Sequence, residues 1–522
     1  MSAGPSNGGI TRRASLTLLA GGSSSLALLA AGMGSPAFAL PMFREGSAHP
    51  FDRAWLEAEA LRLSQGPHMP LPEVPEGWRN LSYDEYRMMW FNPQRGLWTD
   101  EDRPFKVDFF HPGLYFPRPV EVNVVEDGIA QTLEFDMSLF DMTDQFPELP
   151  VDETMGYSGL RLRAALERSD IFTEFAVFQG ASYFRAIGTG MNYGLSARGL
   201  AINTAGPEGE EFPEFTRFWL EAPQPGDATQ VLHALLDGES CTGAFTFRID
   251  PGEATRMAVE VTLYPRVDLP HVGFAPLTSM FLYDQTNRAG HDDFRPAVHD
   301  SDGLMIHNGA GELLFRPLKN PANLEVSSFV DDSPRGFGLM QRARDLADFE
   351  DFEAHYEDRP ALWITPGESW GEGSVQLVEI PSELEIYDNI VAYWRPRNGL
   401  SAGQEYRFTY DMEWSAEPPR PREVAPVLNT AVGGNWNRTQ TLVAIDFADH
   451  PALSGTPDDY TKLIRTNRGE VSDGVLERNP RTGGLRLTFA LTPGEASSME
   501  LRAQLLAGDA PVSEVWLYRW SA

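Results

Sequence analysis

Cysteine is almost missing from this sequence, with Cys241 the only one. A single thiol excludes an intrachain disulfide and a thiolate metal cluster, so stability has to come from packing. Cys241 itself, within Ser240-Cys241-Thr242-Gly243, reads as a small core residue rather than a nucleophile. Positive charge is scarce as well. Against 75 acidic side chains stand 42 basic ones, and the net charge of −33 repels phosphate backbones and anionic headgroups. Nucleic acid and anionic membrane surfaces are thereby excluded as principal partners. Several catalytic fingerprints are also absent: the P-loop, His-Glu-x-x-His and the Rossmann glycines. Gly188-x-Gly190 lacks a third glycine at the required spacing and reads as a turn. No cofactor is implied, and no internal repeat of fixed period is present.

Aromatic residues are plentiful, with 31 Phe, 15 Tyr and 12 Trp, and 42% apolar against 22% charged residues is a globular composition. A length of 522 residues exceeds what one core usually serves, so two folded units are expected. The aromatic supply suits a sugar-binding cleft, although core filling accounts for most such residues.

Arg12-Arg13 stands directly ahead of a short apolar run ending at Ala37-Phe38-Ala39, the layout of a bacterial twin-arginine export signal with a small-x-small cleavage pattern. Residues 1–39 are therefore expected to be removed, leaving a mature start near Leu40 in the periplasm. A membrane anchor would need about 20 strongly apolar residues. Gly32, Gly34, Ser35 and Pro36 interrupt the run, so stable membrane insertion is not expected.

Beyond this segment, Arg53 to Gln65 and Tyr83 to Trp90 are predicted as helices, while most of the chain alternates apolar and polar residues. The runs Arg256–Tyr264, Ser374–Ile380, Gln404–Trp414, Thr441–Phe447, Gly484–Phe489, Met499–Ala503 and Glu514–Trp520 predict strands, and the chain is predicted to be all-β and largely antiparallel. The charged, proline-rich stretch 417–426 has the character of a linker. It would divide a large β-sandwich over 40–416 from a smaller immunoglobulin-like sandwich over 427–522.

The densest polar cluster runs from His291 to Gly303. It is compatible with a solvated loop, with a metal site, or with a catalytic carboxylate. Asp300-x-Asp302-Gly303 echoes the start of a calcium loop, but the later positions lack the bidentate Glu, and no metal is assigned. A second candidate is Asp388, which with Asn389 interrupts an apolar, β-prone run and either takes hydrogen bonds at a turn or is held ready to donate a proton. Glycoside hydrolysis needs two carboxyl groups, and Asp300 and Asp388 fit that division, though spacing alone does not select this pair.

Phe109-Phe110-His111-Pro112-Gly113, Gly180-Ala-Ser-Tyr-Phe-Arg-Ala186, Tyr193-Gly-Leu-Ser-Ala-Arg-Gly-Leu-Ala-Ile202, Asp292-Asp-Phe-Arg-Pro296, His299-Asp-Ser-Asp-Gly-Leu304, Pro334-Arg-Gly-Phe-Gly-Leu339 and Asp388-Asn-Ile-Val391 together resemble the glucans biosynthesis proteins G and D. The twin arginine makes the chain resemble the D type. This resemblance implies a galactose-mutarotase-like sandwich followed by an immunoglobulin-like one, and a role in building osmoregulated periplasmic glucans. It further implies an inverting endo-β-1,2-glucanase whose general acid matches Asp388. The general base matches Asp300, reaching the attacking water through a proton relay. Tyr356, Arg359 and Glu385 are candidates either for holding glucose units or for a purely structural role. The relay is completed within a homodimer, by a loop matched here to Gly433–Arg438. Relatives that cyclise the glucan by transglycosylation, or that only bind it, leave those two alternatives open.

Overall fold

The computed structural model of the protein describes residues 41–419, 421 and 423–522. The twin-arginine run and its cleavage pattern lie outside the described residues. Among the described residues strands make up 46% and helices 8%, so the protein is all-β with sandwiched sheets. It forms two compact units.

The first unit comprises the described residues up to Val272, together with Ile386–Asp388 and Gly399–Thr409. One of its sheets runs in the order His49–Pro50, Ile129–Thr132, Glu121–Glu126, Glu214–Glu221, Gln230–Asp237, Cys241–Asp250 and Thr255–Pro265. All pairs in it are antiparallel except Glu121–Glu126 with Glu214–Glu221. The other runs Ser196–Arg198, Tyr183–Ala186, Ile171–Gln179, Gly159–Arg168 and Phe105–Phe110. Alternation sends one face of each strand inward. Phe178 and Phe184 of one sheet thus meet Phe247 of the other with ring centroids 5.2 and 5.1 Å apart. Cys241 is buried among these strands. Helix Arg53–Ser64, capped by the Asp52 carboxylate, lays Leu56 and Ala60 on Trp219, Leu235, Ala244 and Tyr264. Tyr83 to Trp90 departs from the expected helix. Only Tyr83–Tyr86 is helical, and Met89–Phe91 pairs instead with Phe140–Met142, which buries Met89 and Phe91.

The second unit comprises Gly273–Glu385, Asn389–Asn398 and Tyr410–Ala522. Residues 410–415 begin a sheet that continues through Ala361–Pro366, Gly336–Met340, Gly303–His307, Leu313–Pro317, Val515–Ser521, Ser498–Ala507 and Thr461–Thr466. The junction of Leu313–Pro317 with Val515–Ser521 is parallel, and it ties the last strand of the chain to a strand some two hundred positions earlier in sequence. A second sheet orders Glu325–Asp332, Glu372–Glu379, Ile390–Pro396 and Val272–Ser279. Arg316 of the first sheet and Glu379 of the second form a buried ion pair at 3.0 Å. A third sheet, built on Val427–Gly434, Thr441–Phe447 and Leu485–Thr492, packs Phe489 on Trp516 at 6.0 Å. The Trp516 indole N–H donates to Thr430 Oγ1 at 2.9 Å. The loop between Val427–Gly434 and Thr441–Phe447 carries Trp436, which is 94% exposed.

Candidate functional site

The polar cluster noted in the sequence becomes, in the second unit, a loop between the paired segments Phe281–Tyr283 and Val298–His299. Asp300 follows that pair directly. Its amide donates to Met280 O at 2.9 Å, and its side chain is only 2% exposed. Burying a carboxylate this far is expensive unless a cation meets it. Arg359 does so through Nη1, while its Nη2 donates to Ala354 O at 3.1 Å and its guanidinium lies 4.2 Å from the Tyr356 ring centroid. Burial works to lower the pKa of Arg359; the adjoining Asp300 charge outweighs it, and the guanidinium ends above its ordinary value. Tyr356 is itself buried at the start of the 3-10 turn Tyr356–Asp358.

Arg295 organises the rest of the loop. Its Nη2 donates to Asp293 Oδ2 at 2.8 Å and to Glu385 Oε2 at 2.7 Å, and its Nη1 donates to Asp351 Oδ2 at 2.7 Å. One planar fork thus braces three carboxylates, which a point-charge lysine could not do in fixed directions. The hydrogen bonds from Arg295 hold the Asp293 carboxyl well below the usual range. Glu385, with a side chain 37% exposed, is the most open of these acids.

Asp388 lies, half-buried, on the loop leading into the strand Ile390–Pro396. The next residue, Asn389, is fully buried, with both its amide nitrogen and its amide oxygen bonded to backbone. Its Nδ2 donates to Phe281 O at 2.8 Å and Ile380 O at 3.1 Å, and its Oδ1 accepts from Phe281 N at 2.8 Å. Its backbone N–H donates to Ser279 O at 3.1 Å. Asn389 therefore clips the chain beside Asp388 to the segment 279–281, the same segment whose Met280 carbonyl receives Asp300. Replacing Asn389 by leucine should strand these buried backbone groups and lower the unfolding free energy by at least ~2 kcal/mol. Urea denaturation would show this as a lower midpoint at an unchanged slope.

His299 Nδ1 donates to Gln341 Oε1 at 2.9 Å, and Gln341 Nε2 donates to the carbonyls of His299 and Tyr356. Because that Gln341 oxygen can only accept, the His299 proton sits on Nδ1. Burial lowers the pKa of the ring, against the nearby Asp302 charge and the Gln341 bond that raise it. Among the described residues, His355, Glu357 and Asp358 bring potential metal-ligating atoms within 4.8 Å of one another, and His355 Nδ1 already bonds Glu357 Oε1 at 3.0 Å.

Asp284, in the same loop, is pushed up to about 7 by burial, assisted by the charge of Asp302 and opposed by hydrogen bonds from Thr286. A carboxyl raised in the folded state binds more protons there than in the unfolded chain, so stability falls as pH rises from about 4 to about 7. The Asp284→Asn variant keeps an acceptor for the Thr286 N–H and hydroxyl, at 2.7 and 2.5 Å in the native protein. It should flatten that decline, gaining up to roughly 4 kcal/mol over the wild type at pH 8 and nothing at pH 4. Thermal unfolding curves that fall in parallel for both proteins would contradict this.

The structure thus joins Asp300, Arg359 and Tyr356 in one contact and places Glu385 in the Arg295 network. Sequence reading missed Arg295, Asn389 and Gln341 as positioning groups. Arg295 and Asn389 lay inside quoted motifs, whereas Gln341 gave no signal.

A sequence profile of the family described as "Periplasmic glucan biosynthesis protein, MdoG" matches residues 51–520. The "Glucans biosynthesis protein G" of Vibrio cholerae serotype O1 is 46% identical over 473 residues, covering 90% of this chain and 87% of that one. The protein of the same name from Bradyrhizobium diazoefficiens is 44% identical over 480 residues, covering 92% and 95%. Among solved structures, the galactose mutarotase related enzyme of Lactobacillus acidophilus aligns over 51% of this chain and 94% of its own at 10% identity, with a TM-score of 0.22. That likeness is too slight to bear on the fold. Among the described residues no helix is long and apolar enough to cross a membrane.

Proposed function

Because the chain belongs to the MdoG family of periplasmic glucan biosynthesis proteins, we propose that it is a D-type member, an inverting endo-β-1,2-glucanase acting on the glucan backbone in the periplasm. In this reading residues 1–39 direct twin-arginine export. Residues 40–416 form the catalytic sandwich, and 427–522 an immunoglobulin-like module joined through 417–426.

Asp388 is the general acid. It gives its proton to the glycosidic oxygen as the bond to the anomeric carbon breaks, while water attacks that carbon from the opposite face. The proton lost by the water passes along a relay to Asp300. Gly433–Arg438 of a second copy completes that relay in a homodimer. No cofactor takes part.

The observation that best supports the reading is the Asp300–Arg359–Tyr356 stack. A base that works through a relay must be held in place until the proton reaches it, and a buried carboxylate clamped by a guanidinium is so held. Arg359, Tyr356 and Glu385 belong to the glucose-binding set of the same reading, and Glu385 has the exposure to meet a sugar directly.

The deciding experiment incubates the mature protein with linear β-1,2-glucan and follows product size and the anomeric NMR signal. Short linear products whose new reducing ends appear first in the α form are expected. Cyclic products would replace hydrolysis by transglycosylation, and an unchanged polymer would leave a glucan-binding protein without catalysis.

A further inference from the structure

The motif from Gly180 to Ala186 takes no part in the site described above. It lines a cavity of about 210 Å³ wholly within the first unit. Its walls are aromatic: Tyr115, Phe116, Phe215 and Phe218. The polar side chains of Arg118, Glu214, Ser158 and Gln179 complete it. Arg118 and Glu214 pair at 3.0 Å, which leaves the cavity without net charge. Gln179 is buried; its Nε2 donates to Ser158 Oγ at 2.8 Å, but its Oε1 has no hydrogen-bond partner. A buried amide oxygen left unpaired is costly, and a ligand hydroxyl would satisfy it.

The backbone that shapes the cavity is held in an unfavourable form. Gly180 and Ala181 take consecutive left-handed conformations, φ 80° and 43°, and the second is uncommon for a residue with a side chain. At Gly180 a Cβ would come within 3.0 Å of the Phe116 ring. The Ala181 carbonyl accepts from Phe215 N at 2.9 Å, which locks the turn against the opposite wall. The cavity is therefore formed before anything enters it.

We propose that this cavity is a second carbohydrate-binding site that takes one neutral hexopyranose ring. A pyranose presents an apolar C–H face to aromatic walls and a rim of hydroxyl donors to Gln179 Oε1 and the Glu214 carboxylate. Neither a phosphate nor an ammonium group finds a net countercharge there. The volume is below the ~300–1,000 Å³ of pockets that enclose larger ligands, so one ring enters rather than a run of chain. That ring is either a chain end or a free sugar. The site is independent of glucan cleavage and stands whether or not Asp388 is a catalytic acid.

Calorimetric titration with methyl β-glucopyranoside tests it. Wild type and Asp388→Asn are both expected to bind saturably, and Gln179→Leu to bind at least about tenfold more weakly. Glu214→Gln, at the partly exposed rim, should weaken binding without disturbing the fold, and it decides the matter if Gln179→Leu unfolds. Tighter binding of a short linear β-1,2-glucan than of the methyl glucoside identifies a chain end, and equal binding identifies a free sugar. No saturable binding by the wild type, or unchanged binding by folded Gln179→Leu or by Glu214→Gln, would overturn the proposal. Loss of glucan cleavage with this binding intact would instead count against the glucanase reading alone.

Discussion

The Arg359→Ala variant is expected to lose about 3–5 kcal/mol of stability, because it removes the guanidinium from a carboxylate that is almost wholly out of water. The loss should exceed that of an ordinary surface pair, worth at most about 1 kcal/mol. Two further contacts go with it, the bond to Ala354 O and the guanidinium on the Tyr356 ring. Asp300→Asn should be milder, since asparagine still offers an oxygen to Arg359. A double-mutant cycle on the two residues isolates the pair itself, with a coupling of about 1–3 kcal/mol expected. The measurement is urea unfolding of the four proteins. A drop under about 1 kcal/mol for Arg359→Ala would show that the pair does not hold Asp300.

Asp388→Asn is expected to do the reverse, abolishing chemistry while sparing the fold. Asp388 is half-buried on a loop whose anchoring is done by its neighbour Asn389, so the change should barely move the unfolding midpoint. Loss of a positioned general acid costs about 10²–10⁴ in rate, and the glucanase reading requires a fall of that size in turnover of linear β-1,2-glucan. Asp300→Asn should show a comparable fall in turnover. Full activity in Asp388→Asn would remove the acid role from this residue.

Much of the fold was legible because a half-buried strand writes its burial into alternate positions. Thr441–Phe447 has the bounds read from its sequence, and the run read as Gln404–Trp414 forms the strand Tyr406–Ser415. Order within the sheets was not legible. Nothing in the local pattern of Leu313–Pro317 announces that its parallel neighbour is Val515–Ser521, since that pairing is fixed by tertiary packing. The site divides in the same way. Asp300 and Asp388 stood out as carboxylates in unusual company, and the family resemblance singled them from many others. Arg359 and Asp300 are 59 positions apart, and the three acids on Arg295 come from separate loops. Such contacts depend on where the chain returns, which no spacing rule encodes. The helix read over Tyr83 to Trp90 failed because Met89 and Phe91 are buried as a strand, a tertiary demand stronger than local periodicity.

Trp436 stands almost entirely in water at a loop tip, while Trp78, Trp219, Trp394, Trp414 and Trp516 are sealed in the interior. Water relaxes around an excited indole and reddens its emission, so this ring, with the 47% exposed Trp90, supplies the red edge of the protein's fluorescence and is the more open of the two to a dissolved quencher. The chain therefore carries a native optical probe on an exposed loop. Whatever covers that loop, a sugar chain or a second copy of the protein, will announce itself as a blue shift and a loss of quenching without any label being added.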